Sequence, residues 1–475
     1  MSELYRYEEL AGRITALIDA GTLRPGARAP SLREAGRQWR VSLSTALQAY
    51  RLLEDRGVLE ARPKSGFYVA RGGAIGLAAP AISQPPGAAT SVSVSAVVQR
   101  LLHHASDPNL VPLGCAIPSA ELLAAGKLDR CLARAARTKG TRYNIYTEAR
   151  GDERLRQEIA RRALRWGQAL APEDIAVTCG CTEALLLALK AVSRPGDTIA
   201  IESPTYFGFL QAIEALDLKA LELPTDAASG VDLEALRAAL EAGSITACLF
   251  SSSVGNPLGG TMPDDRKGAV LDLLARHGVP LIEDDLYGDL SFAEDRPRPF
   301  MALRPAADVL YCSSFSKTVS PGYRIGWIVP GRHMAKVLET KFSVTLCGPA
   351  LLQAALADFL ISGGYDSHLR RMRRVFAGNI DQMIRTIEKV FPAGTRVTRP
   401  AGGFVLWLEL PAGIRSRKLF GQALEQGICF APGDAFSASD RYGHCLRLSG
   451  GYAWSDRIEA GLNALGEMAS AALGS

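Results

Sequence analysis

From Gly72 to Gln99 the chain carries no charged side chain, and the part from Gly72 to Thr90 is rich in Gly, Ala and Pro. That Gly-, Ala- and Pro-rich part has the composition of a linker rather than of a folded element. It reads as a linker, part flexible and part extended, and twenty such residues would span roughly 25 Å as coil. Everything else must fold on one side of it or the other. The reading is a small domain over residues 1–71, a linker over 72–92 and a large body over 93–475. The length, 475 residues, also asks for more than one compact unit.

Charge divides at the same place. Residues 1–72 hold twelve Lys and Arg against eight Asp and Glu, a net +4 out of the whole chain's +5. A small basic unit on a near-neutral body implies a polyanionic partner for that unit. Hydrophobic residues, 47% of the chain, are enough for a large core in the body. No apolar run reaches the length of a membrane span, and Met1–Leu10 is too polar and acidic for a secretory signal. The expectation is a cytoplasmic protein with no membrane contact. Nine cysteines are scattered, with Cys179 and Cys181 the one close pair, and the six histidines form no cluster with them. Reduced thiols in a core and no metal are expected.

In the small unit, Leu10, Ile14, Leu17 and Ile18 fall at helical spacing within 4–19, and Gly21 with Pro25-Gly26 ends that helix. Ser31 can cap a second helix that turns Leu32, Ala35 and Trp39 inward. Ser42 can cap a third, with Leu43, Leu47, Tyr50 and Leu53 on one stripe. Val58–Ala61 and Phe67–Ala70 read as two short strands around a turn of Pro63, Lys64, Ser65 and Gly66. Three helices followed by a hairpin is the layout of a winged helix-turn-helix. A reading helix needs short polar side chains at its start to approach bases or phosphates; Ser42, Ser44 and Thr45 supply them. Arg33 can clamp a phosphate or reach a base. Lys64 and Gly66 at the hairpin tip suit a wing on the backbone or minor groove. The expected partner is double-stranded operator DNA.

The body alternates strand-like and helix-like segments. Strand candidates are Ile175–Thr178, Thr198–Glu202, Ala247–Ser251, Pro280–Asp284, Val309–Ser313 and Gly326–Val329, with helices such as Glu183–Val192 and Asp264–His277 among them. This is the pattern of a mostly parallel sheet covered by helices. From about residue 350 the chain reads as long helices plus a few strands, a smaller α+β lobe beside a large α/β lobe. No internal repeat is present.

Several residues of the body meet, in chain order, the requirements of one cofactor. Gly180-Cys181-Thr182 lies between a strand and a helix, where main-chain N–H groups can cradle a phosphate. Ser314, Ser316 and Arg324 can complete that cup. Tyr206 can stack on an aromatic ring. Asn256 and Tyr287 can donate to a phenolic oxygen. Asp284 sits at a strand tip, where α/β sheets place ligands, and can hold the proton of a pyridine nitrogen. Asp285 is its rival but is one position off the spacing to Tyr287. Lys317 can form a Schiff base with an aldehyde if burial and neighbouring cations keep it partly neutral. Each motif alone is commonplace; together and in order they point to pyridoxal 5'-phosphate (PLP).

Leu4–Val69 resembles the GntR-type DNA-binding domain through Gly21–Gly26, Pro30–Glu34, Val41–Thr45 and Ser65–Val69. Ala29 stands where that family usually has leucine. Leu43 stands where many members have an arginine, which moves the expected base contact to Ser44 or Arg33. Residues 95–470 resemble fold type I aminotransferases. That resemblance implies that Arg447, in Leu446-Arg447-Leu448, grips an α-carboxylate. It also implies that Tyr146, five residues before Gly151, reaches the phosphate of a partner subunit in a homodimer. The combination resembles the MocR subfamily of bacterial regulators. It implies a body that dimerises and senses PLP, or its adduct with a small amine or amino acid effector, through an aldimine at Lys317. The segment Glu283–Gly288 is nearer in wording to authentic aminotransferases. An active PLP-dependent aminotransferase with a DNA-binding appendage therefore stays open as the alternative. So does a plain repressor whose cofactor fold serves only as a dimerisation scaffold.

Overall fold

The chain divides after Leu77, inside the uncharged stretch, into a unit of Met1–Leu77 and a unit of Ala78–Ser475. The computed structural model describes residues 6–19, 22–24, 26–55, 58–62, 66–69, 77–105, 107–251 and 253–473.

In the first unit, helices α1 (Arg6–Asp19), α2 (Leu32–Gln38) and α3 (Leu43–Asp55) precede strands β1 (Leu59–Arg62) and β2 (Gly66–Val69). Ser31 caps α2 reciprocally. Its hydroxyl accepts from the Glu34 N–H at 3.3 Å, while its own N–H donates to the Glu34 carboxylate at 2.8 Å. Leu10, Ile14, Ala35, Ala46, Ala49, Tyr50, Leu53, Leu59 and Val69 close one core. Leu43 does not join it as the stripe on α3 predicts. It begins α3, a turn before the core does, and is 56% exposed. The strands pair antiparallel with Leu59 opposite Val69. Gly21, Pro25 and the tip Pro63–Ser65, Lys64 included, lie outside the described residues.

The second unit is built on two sheets. Its strands are β3 (Thr90–Ser91), β4 (Val111–Leu113), β5 (Ala176–Thr178), β6 (Thr198–Ser203), β7 (Lys219–Asp226), β8 (Gly230–Val231) and β9 (Ala247–Phe250). There follow β10 (Leu281–Asp284), β11 (Val309–Ser314), β12 (Gly326–Val329), β13 (Arg396–Val397), β14 (Val405–Glu409), β15 (Ile428–Pro432) and β16 (Cys445–Ser449). The larger sheet runs β3-β7-β6-β9-β10-β11-β12-β5, with β8 beside β7. It is parallel from β7 to β11 and antiparallel at β12 and β5. All six strands read from the sequence are in it. β7 is an addition: Lys219, Glu222 and Pro224 interrupt its apolar pattern, yet six of its eight residues are buried. The smaller sheet runs β13-β14-β16-β15-β4 and forms the second lobe, introduced by the long helix Tyr365–Val390.

The stretch read as linker over 72–92 is not free along its second part. From Ala78 onward it lies on the body. The Val397 N–H donates to the Ala78 carbonyl at 3.0 Å, the Ala81 N–H donates to Glu409 at 2.6 Å, and β3 pairs with β7. An extended segment without side-chain charge still offers main-chain donors and acceptors to a sheet edge, and composition does not reveal that. Among the described residues no helix is long and apolar enough to cross a membrane.

Candidate cofactor site and DNA-reading surface

Strand alternation decides between the two aspartates at the end of β10, because successive side chains leave on opposite faces. Asp285 turns to Arg296, 2.5 Å away, and to the Tyr311 hydroxyl at 2.9 Å. Asp284 turns the other way and accepts from the Cys181 thiol at 3.2 Å. It is buried, and that burial pushes its carboxyl up to about 7, against the opposing pull of Cys181 and Lys317.

Cys181 opens the helix Cys181–Val192, and Gly180 before it has φ +81°, a conformation that glycine adopts without strain. The first N–H groups of that helix have no partner within it. Arg324 leans over the turn: its Nη2 donates to the Cys179 carbonyl at 3.1 Å, and a β-carbon on Gly180 would run into the guanidinium. Thr182, next on the helix, is exposed. Ser314 donates to the Ile325 carbonyl at 3.0 Å and shares a 2.7 Å hydrogen bond with Ser316. β12 passes very near. A β-carbon on Gly326 would lie 2.5 Å from the Gly180 carbonyl carbon and 2.8 Å from the Ser313 oxygen. Gly326 went unremarked in the sequence; a glycine opening a strand was its signal.

Lys317 follows β11, and its Nζ donates to the main-chain carbonyl of Ala116 at 2.7 Å. Burial, and after it the Arg447 charge, pulls its ammonium down to about 8. Arg447 is fully buried on β16, which also lowers its pKa. Its Nη1 donates to Asn256 Oδ1 at 3.3 Å, its Nη2 donates to the Gly114 carbonyl, and its Nε is buried with no hydrogen-bond partner among the described residues. Tyr206 and Tyr287 both lie within the fields of Arg447 and Asp284. Burial pushes Tyr206 up to about 12 and raises Tyr287 as well.

The fold thus brings Cys181, Tyr206, Asp284, Tyr287 and Lys317 into the neighbourhood of Arg447, with Asn256 bonded to it, and sets Arg324 and the Ser314–Ser316 pair beside the Gly180 turn. Tyr146 is not among them; it stands 81% exposed. Gly114, Cys115 and Ala116, after β4, were missed. They act through main-chain carbonyls, and in the case of Cys115 through a thiol whose surroundings include Lys317 and Arg447. A carbonyl leaves no mark in a sequence.

On the first unit, the Ser42 hydroxyl accepts from the Thr45 N–H at 3.1 Å, which caps α3. Ser42 also shares hydrogen bonds with the hydroxyls of Ser44, 2.8 Å, and Thr45, 2.7 Å. Ser42 and Ser44 are exposed at the helix start and Thr45 is half-buried; Arg33 on α2 is exposed. Gly66 opens β2 with φ +101°, and the Arg28 guanidinium lies 3.6 Å from where its β-carbon would be. That places a cation the sequence reading overlooked beside the wing.

Two family descriptions match the chain: "Bacterial regulatory proteins, gntR family" over residues 6–69, and "Aminotransferase class I and II" over 120–453. The HTH-type transcriptional regulator YdcR of Escherichia coli K12 is 37% identical over 98% of both chains. The probable rhizopine catabolism regulatory protein MocR of Rhizobium meliloti is 29% identical over 90% of this chain and 86% of its own. The chain belongs to the MocR-type GntR regulators. Among solved structures, the body of this MocR-type protein is similar to LysN, the α-aminoadipate aminotransferase of Thermus thermophilus, crystallised with N-(5'-phosphopyridoxyl)-L-leucine. The TM-score is 0.74 at 29% identity, covering 80% of this chain and 95% of that one. The regulator therefore joins a complete aminotransferase fold to a DNA-binding head.

Proposed function

We propose that this MocR-type regulator holds PLP covalently on Lys317, responds to a small amine or amino acid at the same pocket, and alters its grip on double-stranded operator DNA accordingly. It does so as a cytoplasmic homodimer. When bound, PLP supplies an aldehyde that reacts with amines and a ring that withdraws electrons.

The residues present fit that group. Lys317 offers an amine that is part neutral at physiological pH. Asp284 carries a proton-holding carboxyl that water does not compete for. The start of the helix Cys181–Val192, with Ser314, Ser316 and Arg324, offers an anion cup whose walls have no room for a side chain on Gly180. Tyr206 would lie against the ring, and Asn256 and Tyr287 would serve its phenolic oxygen. The buried Arg447 Nε, a donor without a hydrogen-bond partner among the described residues, suits an arginine that would bind a carboxylate. Tyr146 would reach the phosphate held by a second copy.

The observation that carries the reading is the juxtaposition of Asp284, Lys317 and Arg447 in one pocket of a chain that also carries a GntR head. A ligand switches the protein only by binding two states unequally, and an amine that competed with Lys317 for the cofactor would supply such a difference. The test is borohydride reduction with PLP followed by mass analysis. The wild type should gain one phosphopyridoxyl group, and Lys317→Ala none. A Lys317→Ala chain that keeps the adduct would refute the assignment. Sustained transamination without DNA would favour the alternative, an aminotransferase bearing a DNA-binding appendage.

A further inference from the structure

We infer that Tyr442 is a positioning residue, tying the ring side of the cofactor pocket to a strap of residues 78–95 through which the DNA reader is attached. The inference rests on the proposed seat of PLP and deepens it by naming the regulatory route.

The strap touches both lobes. Ala78 and Ala81 hydrogen-bond to Val397 and Glu409 of the smaller lobe, at 3.0 and 2.6 Å. Thr90 and Ser91 pair with β7 of the larger lobe. The Val94 N–H, the Ser95 N–H and the Ser95 hydroxyl all donate to one oxygen of Glu214, at 3.2, 3.3 and 2.9 Å. Any change in the angle between the lobes therefore moves one end of the strap against the other.

Tyr442 sits at the seam. Its hydroxyl is 2.6 Å from the Ser83 hydroxyl on the strap and 2.9 Å from the Ser203 hydroxyl at the end of β6. A phenol can donate once and still accept, so both contacts are made together. Three residues beyond Ser203 is Tyr206, the ring-side tyrosine. It leads into the helix Phe207–Ala215, which carries Glu214. Two of the strap's contacts, Ser83 through Tyr442 and Val94–Ser95 through Glu214, thus lead to the single segment 203–214. The small-lobe piece bearing Tyr442 also reaches the pocket directly. The Phe436 carbonyl accepts from the Thr205 N–H at 2.9 Å, and the Arg447 guanidinium lies over the Phe436 ring at 5.3 Å. Trp407 packs edge-on against both Phe436 and Tyr442, at 5.3 and 5.5 Å, which keeps the piece rigid. A ligand that draws on Arg447 or presses on Tyr206 pulls on the Ser203–Tyr442–Ser83 contacts.

The experiment is hydrogen exchange across residues 78–91 of the full-length chain, saturated either with PLP or with N-(5'-phosphopyridoxyl)-L-leucine. Exchange there should differ at least threefold between the two states. Tyr442→Phe and Ser83→Ala should each abolish that difference while leaving the thermal midpoint and the Lys317 adduct with PLP intact. A purely structural tyrosine would lower the midpoint and leave the difference standing. Equal exchange in the two ligand states, or a difference that survives in both variants, overturns the coupling but not the seat of PLP. Absence of the Lys317 adduct in the wild type overturns both.

Discussion

At position 317 the protein has already done part of the chemistry. With its ammonium pulled down to about 8, roughly a tenth of the side chain is neutral at pH 7, against about one part in three thousand for an ordinary lysine. Only the neutral amine attacks an aldehyde. The rate of covalent capture of PLP should therefore rise with pH and level off just above pH 8. For an unperturbed lysine it would climb on past pH 10. Stopped-flow absorbance across pH 6.5–10 reads the midpoint, and a midpoint above 10 would show that burial leaves this amine unactivated. The same shift has a sign for stability. Between about 8 and 10.5 the unfolded lysine binds more protons than the folded one, so stability from this group rises with pH through that window. The other residue that chemistry singles out is Leu43. It is apolar, exposed and set among Ser42, Ser44 and Thr45 at the start of the reading helix. An apolar side chain there can contact a thymine methyl but cannot pair with guanine. Leu43→Arg should move base preference toward guanine at one position of each half-site, with about 1–3 kcal/mol of discrimination. An unchanged preference in a randomised-site selection would remove Leu43 from the groove.

Elements were legible wherever they repeat a simple pattern. The parallel strands β6, β9, β10 and β11, and with them β12 and β5, could be read because strands buried on both faces are short, mostly apolar runs. β7 escaped because Lys219, Glu222 and Pro224 together break its apolar run. Glu222 on that strand is solvated by Ser203, Ser437 and Ser439, partners that lie up to 217 positions away in the chain. The strap escaped for the same reason: its bonds are to distant main chain and to single side chains. Around Lys317, residues that act through side chains in a short motif could be found, while Gly114 and Ala116 act through carbonyls and could not. β12 shows how much one such position carries. It lies between β11 and β5, against the Gly180 turn, with no room for a β-carbon at Gly326. Gly326→Ala must push apart backbone that cannot swing away, at a cost of about 1–3 kcal/mol. It should also displace the helix start that would receive the phosphate. Urea unfolding should show the loss, and PLP affinity should fall further than stability alone explains. A variant with wild-type midpoint and wild-type affinity would mean the turn yields freely.

At the scale of the whole molecule, the proposed site would be completed by a second copy. Ile145 and Tyr146 stand side by side, 68% and 81% exposed, and Thr147 next to them has a buried hydroxyl without a partner among the described residues. Phe342 and Val344 are 65% and 64% exposed. Fully burying an apolar side chain is worth about 1.5–3 kcal/mol, so a second copy covering both Ile145 and Tyr146 would gain about twice what one such residue gives. A twofold assembly would give each pocket a Tyr146 from its neighbour and give the operator two readers for two half-sites. Ile145→Asp sets a charge where the partner would seat an apolar side chain, far from Lys317 in sequence and with no part in the pocket. Sedimentation should show the wild type as a dimer at micromolar concentration and the variant as a monomer. The variant's PLP dissociation constant should rise at least about tenfold, or ~1.4 kcal/mol, for loss of the partner's contribution. A monomeric variant that still binds PLP as tightly as the wild type would show that each pocket is complete in a single chain.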